Sequence, residues 1–126
     1  MTVSDEGEPT AADWARPVVH WEIEARDPER QRAFYRDLFS WEIGDGPISA
    51  IAPGLGGPEP GPVGHIRQGE VPGVRLYVQV RDLGASLSKA RYLGATVLME
   101  PFDVPGGPTL ASIEDPEGTP LVLVQQ

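Results

Sequence analysis

The sequence predicts an α+β fold: two βαβββ repeats whose eight strands form one curved, mainly antiparallel sheet around a concave pocket, with both helices outside. Three observations carry this prediction. Two stretches 55 residues apart follow one plan, and the offset lays Ile23 on Val78, Ala25 on Val80, Asp27 on Asp82, Leu38 on Leu93 and Ile43 on Leu98. The opening stretch of each repeat alternates apolar and polar residues, the period of a strand with one buried face. A helix signal follows only the first strand of each repeat, so helices can cover only one face of the sheet. The same offset carries His20 onto Arg75, a mismatch with functional consequences.

Residues 1–15 have low hydrophobicity and no periodicity, and are expected to be a mobile acidic tail, with Trp14 able to pack back onto the body. Residues 16–126 form the domain, with repeat one at about 17–68 and repeat two at about 73–126. Residues 17–25 read as a strand: Val19, Trp21, Ile23 and Ala25 share one face, and His20, Glu22 and Glu24 the other. Asp27 is an N-cap and Pro28 suits the first helical position, starting a helix that runs to about residue 39. Its apolar stripe is read as Phe34 and Leu38 with the stem of Gln31, flanked by Tyr35. Short strands follow at 41–43 and 48–52, separated by Gly44-Asp45-Gly46-Pro47. A Gly/Pro-rich loop spans 53–62, read as a surface connection or as a lid. Residues 62–68 read as the fourth strand, with Val63, His65 and Arg67 on one face.

The second repeat keeps the order. In residues 74–80, Val74, Leu76, Val78 and Val80 oppose Arg75, Tyr77 and Gln79. Asp82 caps a helix bearing Leu83, Leu87, Ala90 and Leu93, and Gly94 stops it. Strands are expected at 95–99, 109–114 and 121–125, with Asp115-Pro116-Glu117-Gly118 as a turn.

Composition narrows the function. At 126 residues the chain is long enough for one core. It has no cysteine, which removes disulfides, thiolate metal sites and a Cys nucleophile, and suits a cytoplasmic location. The acidic N-terminus is neither a signal nor a transit peptide, and no apolar run matches a membrane span. A net charge of −9 disfavours nucleic acid and anionic membranes. It confers solubility, and at long range it would favour a cationic ligand. Gly54-Leu55-Gly56-Gly57 is not followed by Lys-Ser or a helix pattern, so no phosphate-binding loop is present. No Gly-x-Ser-x-Gly elbow appears, and Ser86 and Ser88 read as surface residues of the second helix.

Several motifs carry a family resemblance. Residues 17–25 (Pro-Val-Val-His-Trp-Glu-Ile-Glu-Ala), Asp27-Pro28-Glu29-Arg30, Phe34-Tyr35-Arg36-Asp37-Leu38-Phe39 with Trp41, Leu93-Gly94-Ala95 and Asp115-Pro116-Glu117-Gly118 together resemble the vicinal oxygen chelate superfamily. That superfamily includes glyoxalase I, extradiol dioxygenases, and bleomycin and fosfomycin resistance proteins. The likeness is to its glyoxalase-like branch, over about 17–125. It implies the paired-repeat fold and a homodimer, but both enzymes and pure binders share that fold. It also implies four metal-ligand positions, which fall on His20, His65, Arg75 and Val122. His20 and His65 are candidate ligands. Arg75 is a permanent cation and Val122 has no lone pair, so the set is poor for a metal, although Glu22 is available as a substitute. The expectation is therefore no cofactor, with a divalent metal disfavoured.

The predicted concave face carries His20, Glu22, His65, Arg67, Arg75, Tyr77 and Gln79, with Val122 beside them. So polar a face is either a wet sheet surface or a small-molecule pocket, and the pocket is favoured because no second helix layer covers it. Candidate catalytic residues are His20 for proton transfer, Glu22 as base if burial raises its pKa, and Tyr77 as a hydrogen-bond donor. His65, Arg67, Arg75, Gln79 and Val122 are candidate ligand-binding residues. Arg75 has two readings, an ion pair with Glu22 across adjoining strands or a grip on an anionic ligand oxygen. The leading function is a small-molecule-binding protein that takes an antibiotic or metabolite without a catalytic metal. The alternatives are a metal-independent isomerase, cyclase or lyase, and then a metal-dependent glyoxalase-like lyase or dioxygenase.

Overall fold

The computed structural model describes residues 15–52 and 62–125. Most of the expected tail, with Trp14, and nearly all of the Gly/Pro loop lie outside the described residues. The elements run β1 (Val18–Ala25), α1 (Pro28–Phe39), β2 (Ile48–Ile51), β3 (Gly64–Gln68), β4 (Gly73–Gln79), α2 (Leu83–Tyr92), β5 (Thr96–Asp103), β6 (Thr109–Glu114) and β7 (Pro120–Gln125). The seven strands form one open, mixed sheet in the order β2-β3-β1-β4-β7-β6-β5. At its centre β1 and β4 are antiparallel. Outward from this pair, β1 takes β3 and β4 takes β7 in parallel. The remaining pairs, β2·β3, β6·β7 and β5·β6, are antiparallel.

Among the described residues the sheet has seven strands rather than the expected eight. The expected strand at 41–43 is a single bridge, Ile43 to Ile51. Ser40 ends α1 in the left-handed region, at φ 58°. Two backbone bonds flank the bridge, Ala52 N–H to the Glu42 carbonyl at 3.0 Å and Gly44 N–H to the Ala50 carbonyl at 2.8 Å, and the chain bends at 46–47 before β2 begins. β5 runs further than expected, and its pairing with β6 is broken by register shifts between Val97 and Met99 and between Met99 and Phe102.

Both helices start as their sequences dictate. Asp27 Oδ1 accepts from the Arg30 N–H at 3.1 Å, and Pro28 occupies the first turn. Asp82 Oδ1 accepts from the Ala85 N–H at 2.9 Å. These caps satisfy donors that the first helical turn otherwise leaves unpaired. Leu83 and Leu87 of α2 pack on Val80, Ala111, Ile113 and Leu123, forming one core. Ile23, Ala25, Ile43, Ile51 and Ile66 form a second, against Trp21, Tyr35 and Trp41.

The apolar stripe read for α1 is overturned. Phe34 and Leu38 are 52% and 59% exposed, and no α1 residue is fully buried. The helix turns Tyr35, Arg32 and Arg36 to the sheet instead. Arg32 Nη1 donates to Ser49 Oγ at 2.9 Å, and Arg36 Nη2 to the Ile43 carbonyl at 2.5 Å. The space that Phe34 was expected to fill is taken by Trp41, stacked on Tyr35 at 5.2 Å and edge-on to Trp21 at 5.7 Å. The Trp21 ring lies over Gly64, where even a Cβ would meet it at 2.3 Å. On α2, Leu93 is the C-cap and is exposed rather than a core residue.

Candidate functional site

Strand alternation sends Trp21, Ile23 and Ala25 toward α1, and so leaves His20, Glu22 and Glu24 on the face away from the helices. Register then selects their neighbours. Glu22 lies between His65 on β3 and Arg75 on β4. Glu24 lies beside Arg67, and His20 beside Tyr77. Tyr77 in turn adjoins Val122, and Gln79 adjoins Val124. On this helix-free face Glu22, Glu24, His65, Val122 and Val124 are buried.

Glu22 is the hub. Its Oε1 accepts from His65 Nε2 at 2.8 Å, from Tyr77 Oη at 3.0 Å and from Arg67 Nε at 3.2 Å. Its Oε2 accepts from Arg67 Nη2 at 3.2 Å and Arg75 Nη1 at 3.4 Å. Arg67 thus grips the carboxylate with both arms of its fork. Glu24 is the second anion. It accepts from Arg67 Nη2 at 3.2 Å, from Arg75 Nη1, and from the Val71 N–H at 3.0 Å. Two carboxylates therefore face two guanidinium groups, and the cluster is charge-balanced. Such balance is what makes a buried charge tolerable.

Outside this ionic knot lies His20. Its Nε2 is 2.6 Å from His65 Nδ1, and the two rings stack at 4.9 Å. Tyr77 meets the His20 ring edge-on at 4.9 Å.

The proton affinities follow from these contacts. Burial pushes the Glu22 carboxyl up, but hydrogen bonds from His65 and Arg67 outweigh it and hold the group well below the usual carboxylate range. The condition set for Glu22 as a base, a raised pKa, is not met. The Arg75 hydrogen bond holds Glu24 low as well. Burial, then the Glu22 charge, pushes the Tyr77 phenol up, so it stays a donor. Burial and the neighbouring His65 lower His20, which favours its neutral ring.

The structure thus brings together six of the expected site residues: His20, Glu22, His65, Arg67, Arg75 and Tyr77. Gln79 and Val122 share their face but take no part in the network. Arg75 makes the expected ion pair with Glu22, and another with Glu24. Glu24 has no role in the sequence reading, although its alternation with Glu22 on a face holding two arginines was visible there. A further signal is Gly69, where an added Cβ would strike the Glu24 carboxylate at 2.1 Å.

The profile of the glyoxalase-like domain matches residues 20–124. The chain belongs to the glyoxalase-like domain family. Its fold is that of the vicinal oxygen chelate superfamily. One similar solved structure is a glyoxalase/bleomycin resistance protein/dioxygenase superfamily member from Vibrio splendidus 12B01, at 16% identity and TM-score 0.63, covering 89% of this chain and 100% of that one. Another is a single-site variant of the Streptomyces coelicolor methylmalonyl-CoA epimerase in complex with 2-nitronate-propionyl-CoA, at 17% identity and TM-score 0.57, covering 87% and 94%. A hypothetical protein from Bacillus halodurans C-125 aligns at 10% identity and TM-score 0.64, covering 90% and 96%. A search of curated proteins finds no match.

The four positions where the superfamily resemblance implies metal ligands are already engaged or lack a donor atom. His20 Nε2 and His65 Nδ1 are spent on each other, and His65 Nε2 on Glu22. Arg75 is engaged with Glu24 and Glu22, and Val122 is a buried hydrocarbon. This donor set does not fit a divalent ion.

Proposed function

We propose that this chain is a small-molecule-binding protein whose ligand lies in a concavity on the helix-free face, and that it works without a catalytic divalent metal. The observation that carries this reading is the commitment of both buried carboxylates to Arg67 and Arg75. A metal would have to displace two cations from the groups it needs. Among the described residues, no three His, Asp or Glu side chains gather in a way that could hold an ion.

Burial of Glu22, Glu24, His65, Val122 and Val124 on a face without helices supports a sheet that curls around a hollow. The cluster is balanced, so it selects neither an anion nor a cation, and the favoured ligand is uncharged. The epimerase neighbour binds an acyl-CoA analogue. A polyanionic CoA ester suits this chain poorly, because the protein itself carries −9. A second reading, a metal-independent isomerase, cyclase or lyase, draws support from the His20–His65 contact, which offers a proton acceptor that Glu22 is not.

Thermal denaturation with added compounds tests the proposal, since a ligand that binds only the folded state raises its stability by mass action. Uncharged metabolites and antibiotics are expected to include compounds that raise the melting temperature, while Ni²⁺, Zn²⁺ and Mn²⁺ leave it unchanged. The double variant Arg75→His/Val122→Glu restores donors and is expected to gain metal-dependent stabilisation. Saturable stabilisation of the unmodified protein by a divalent ion would overturn the metal-free reading.

A further inference from the structure

We propose that Glu22 and His65 are positioning residues that fix His20 as its Nε2–H tautomer, so that the site presents the His20 Nδ1 lone pair to an O–H, N–H or acidic C–H group of the ligand. One chain of hydrogen bonds links the three residues. An ionised carboxylate only accepts, so the contact of 2.8 Å between Glu22 Oε1 and His65 Nε2 requires the proton on that nitrogen. A neutral His65 ring then has its lone pair on Nδ1. The contact of 2.6 Å between that atom and His20 Nε2 requires His20 to donate. A neutral His20 is left with a lone pair on Nδ1, and among the described residues nothing bonds to it.

The surroundings hold the chain in this sense. Among the described residues, the charged and titratable groups on the strands around His20 are Glu22 on β1, His65 and Arg67 on β3, and Arg75 and Tyr77 on β4. Tyr77 spends its hydroxyl proton on Glu22 and offers His20 only a ring edge. Both arginines are turned to the two glutamates. The competing arrangement is a His65 imidazolium that donates from both nitrogens, which would force the proton of His20 onto Nδ1. It would place a third cation beside two that already balance the carboxylates. When a ligand gives up a proton, His20 Nδ1 takes it and the electron pair stays on the ligand, while the Nε2–H remains bonded to His65. Only this ligand-facing step rests on the binding surface proposed above.

Two-bond ¹H–¹⁵N correlation spectra of histidine-labelled protein, free of ligand at neutral pH, decide the matter. His20 is expected to show an unprotonated Nδ1 and a protonated Nε2, and His65 the same pattern. A protonated Nδ1 on His20, or a doubly protonated His65, overturns the proposal. In His65→Gln the constraint is lost, and the His20 resonances are expected to move to the averaged positions of mixed tautomers; an unchanged pure Nε2–H pattern would show that His65 does not position the ring. If that variant does not fold, the spectrum of the unmodified protein still decides. Because the spectra are ligand-free, a wrong tautomer defeats this inference alone, and a silent compound screen defeats only the binding proposal.

Discussion

Replacing Arg67 by Met keeps most of the side-chain volume and removes the fork that holds Glu22. Breaking a buried ion pair by deleting one partner typically costs about 3–5 kcal/mol, because it strands a desolvated charge. Three features of this site reduce that figure. The Arg67 side chain is 40% exposed, so water can enter the vacated space. His65 and Tyr77 still donate to Glu22 Oε1. Arg75 Nη1 remains 3.4 Å from Oε2. The expected loss is therefore about 2–3 kcal/mol at neutral pH, or roughly 6–15 °C in melting temperature for a domain of this size. Urea unfolding followed by circular dichroism measures it, with the m-value held constant as the check that only stability changed. The defect should shrink as the pH falls below the carboxylate range, because a protonated Glu22 no longer misses its cation. A loss under about 0.5 kcal/mol at neutral pH, or one that persists undiminished in acid, would show that Arg67 does not carry the charge of Glu22.

Stability should decline on acidification in two stages. His20 is held below its ordinary 6.5, so the unfolded chain takes the proton first, and stability begins to fall as the pH drops below about that value. Glu22 and Glu24 are held below their ordinary 4.5, so their contribution is full above that value and drains as the pH falls further. His20→Gln should abolish the upper stage and keep the lower; an upper stage that survives in the variant assigns it elsewhere. Gly64→Ala places a methyl group within 2.6 Å of three Trp21 ring atoms and should cost about 1–3 kcal/mol by overpacking. A neutral result in urea unfolding would mean that the indole does not lie over this glycine.

Much of the site was legible in the chain. Period-2 alternation alone sorted His20, Glu22, Arg75 and Tyr77 onto one face; of the opposite set, Trp21, Ile23, Ala25, Val78 and Val80 join the helix-side cores, whereas Val74 and Leu76 are exposed. What alternation cannot supply is the set of partners within that face. Arg75 bonds to Glu24 as well as to Glu22 opposite it, a matter of side-chain reach across a register that no local pattern encodes. The orientation of α1 was misjudged for a related reason. Phe34 and Leu38 have the right spacing for a buried stripe, but Trp21 and Trp41, from two separate segments, already fill the layer they would have entered.

By itself the sequence determined where the helices begin, which strand faces are polar, and that two of the four positions where the resemblance implies metal ligands lack lone pairs. These are properties of near neighbours along the chain and of side-chain chemistry, and they hold in any environment. Only the tertiary structure decided that the glutamates are already neutralised and that His20 stands at the end of a hydrogen-bond chain. Those outcomes depend on contacts between residues more than forty positions apart, whose distances and burial exist only once the strands have paired.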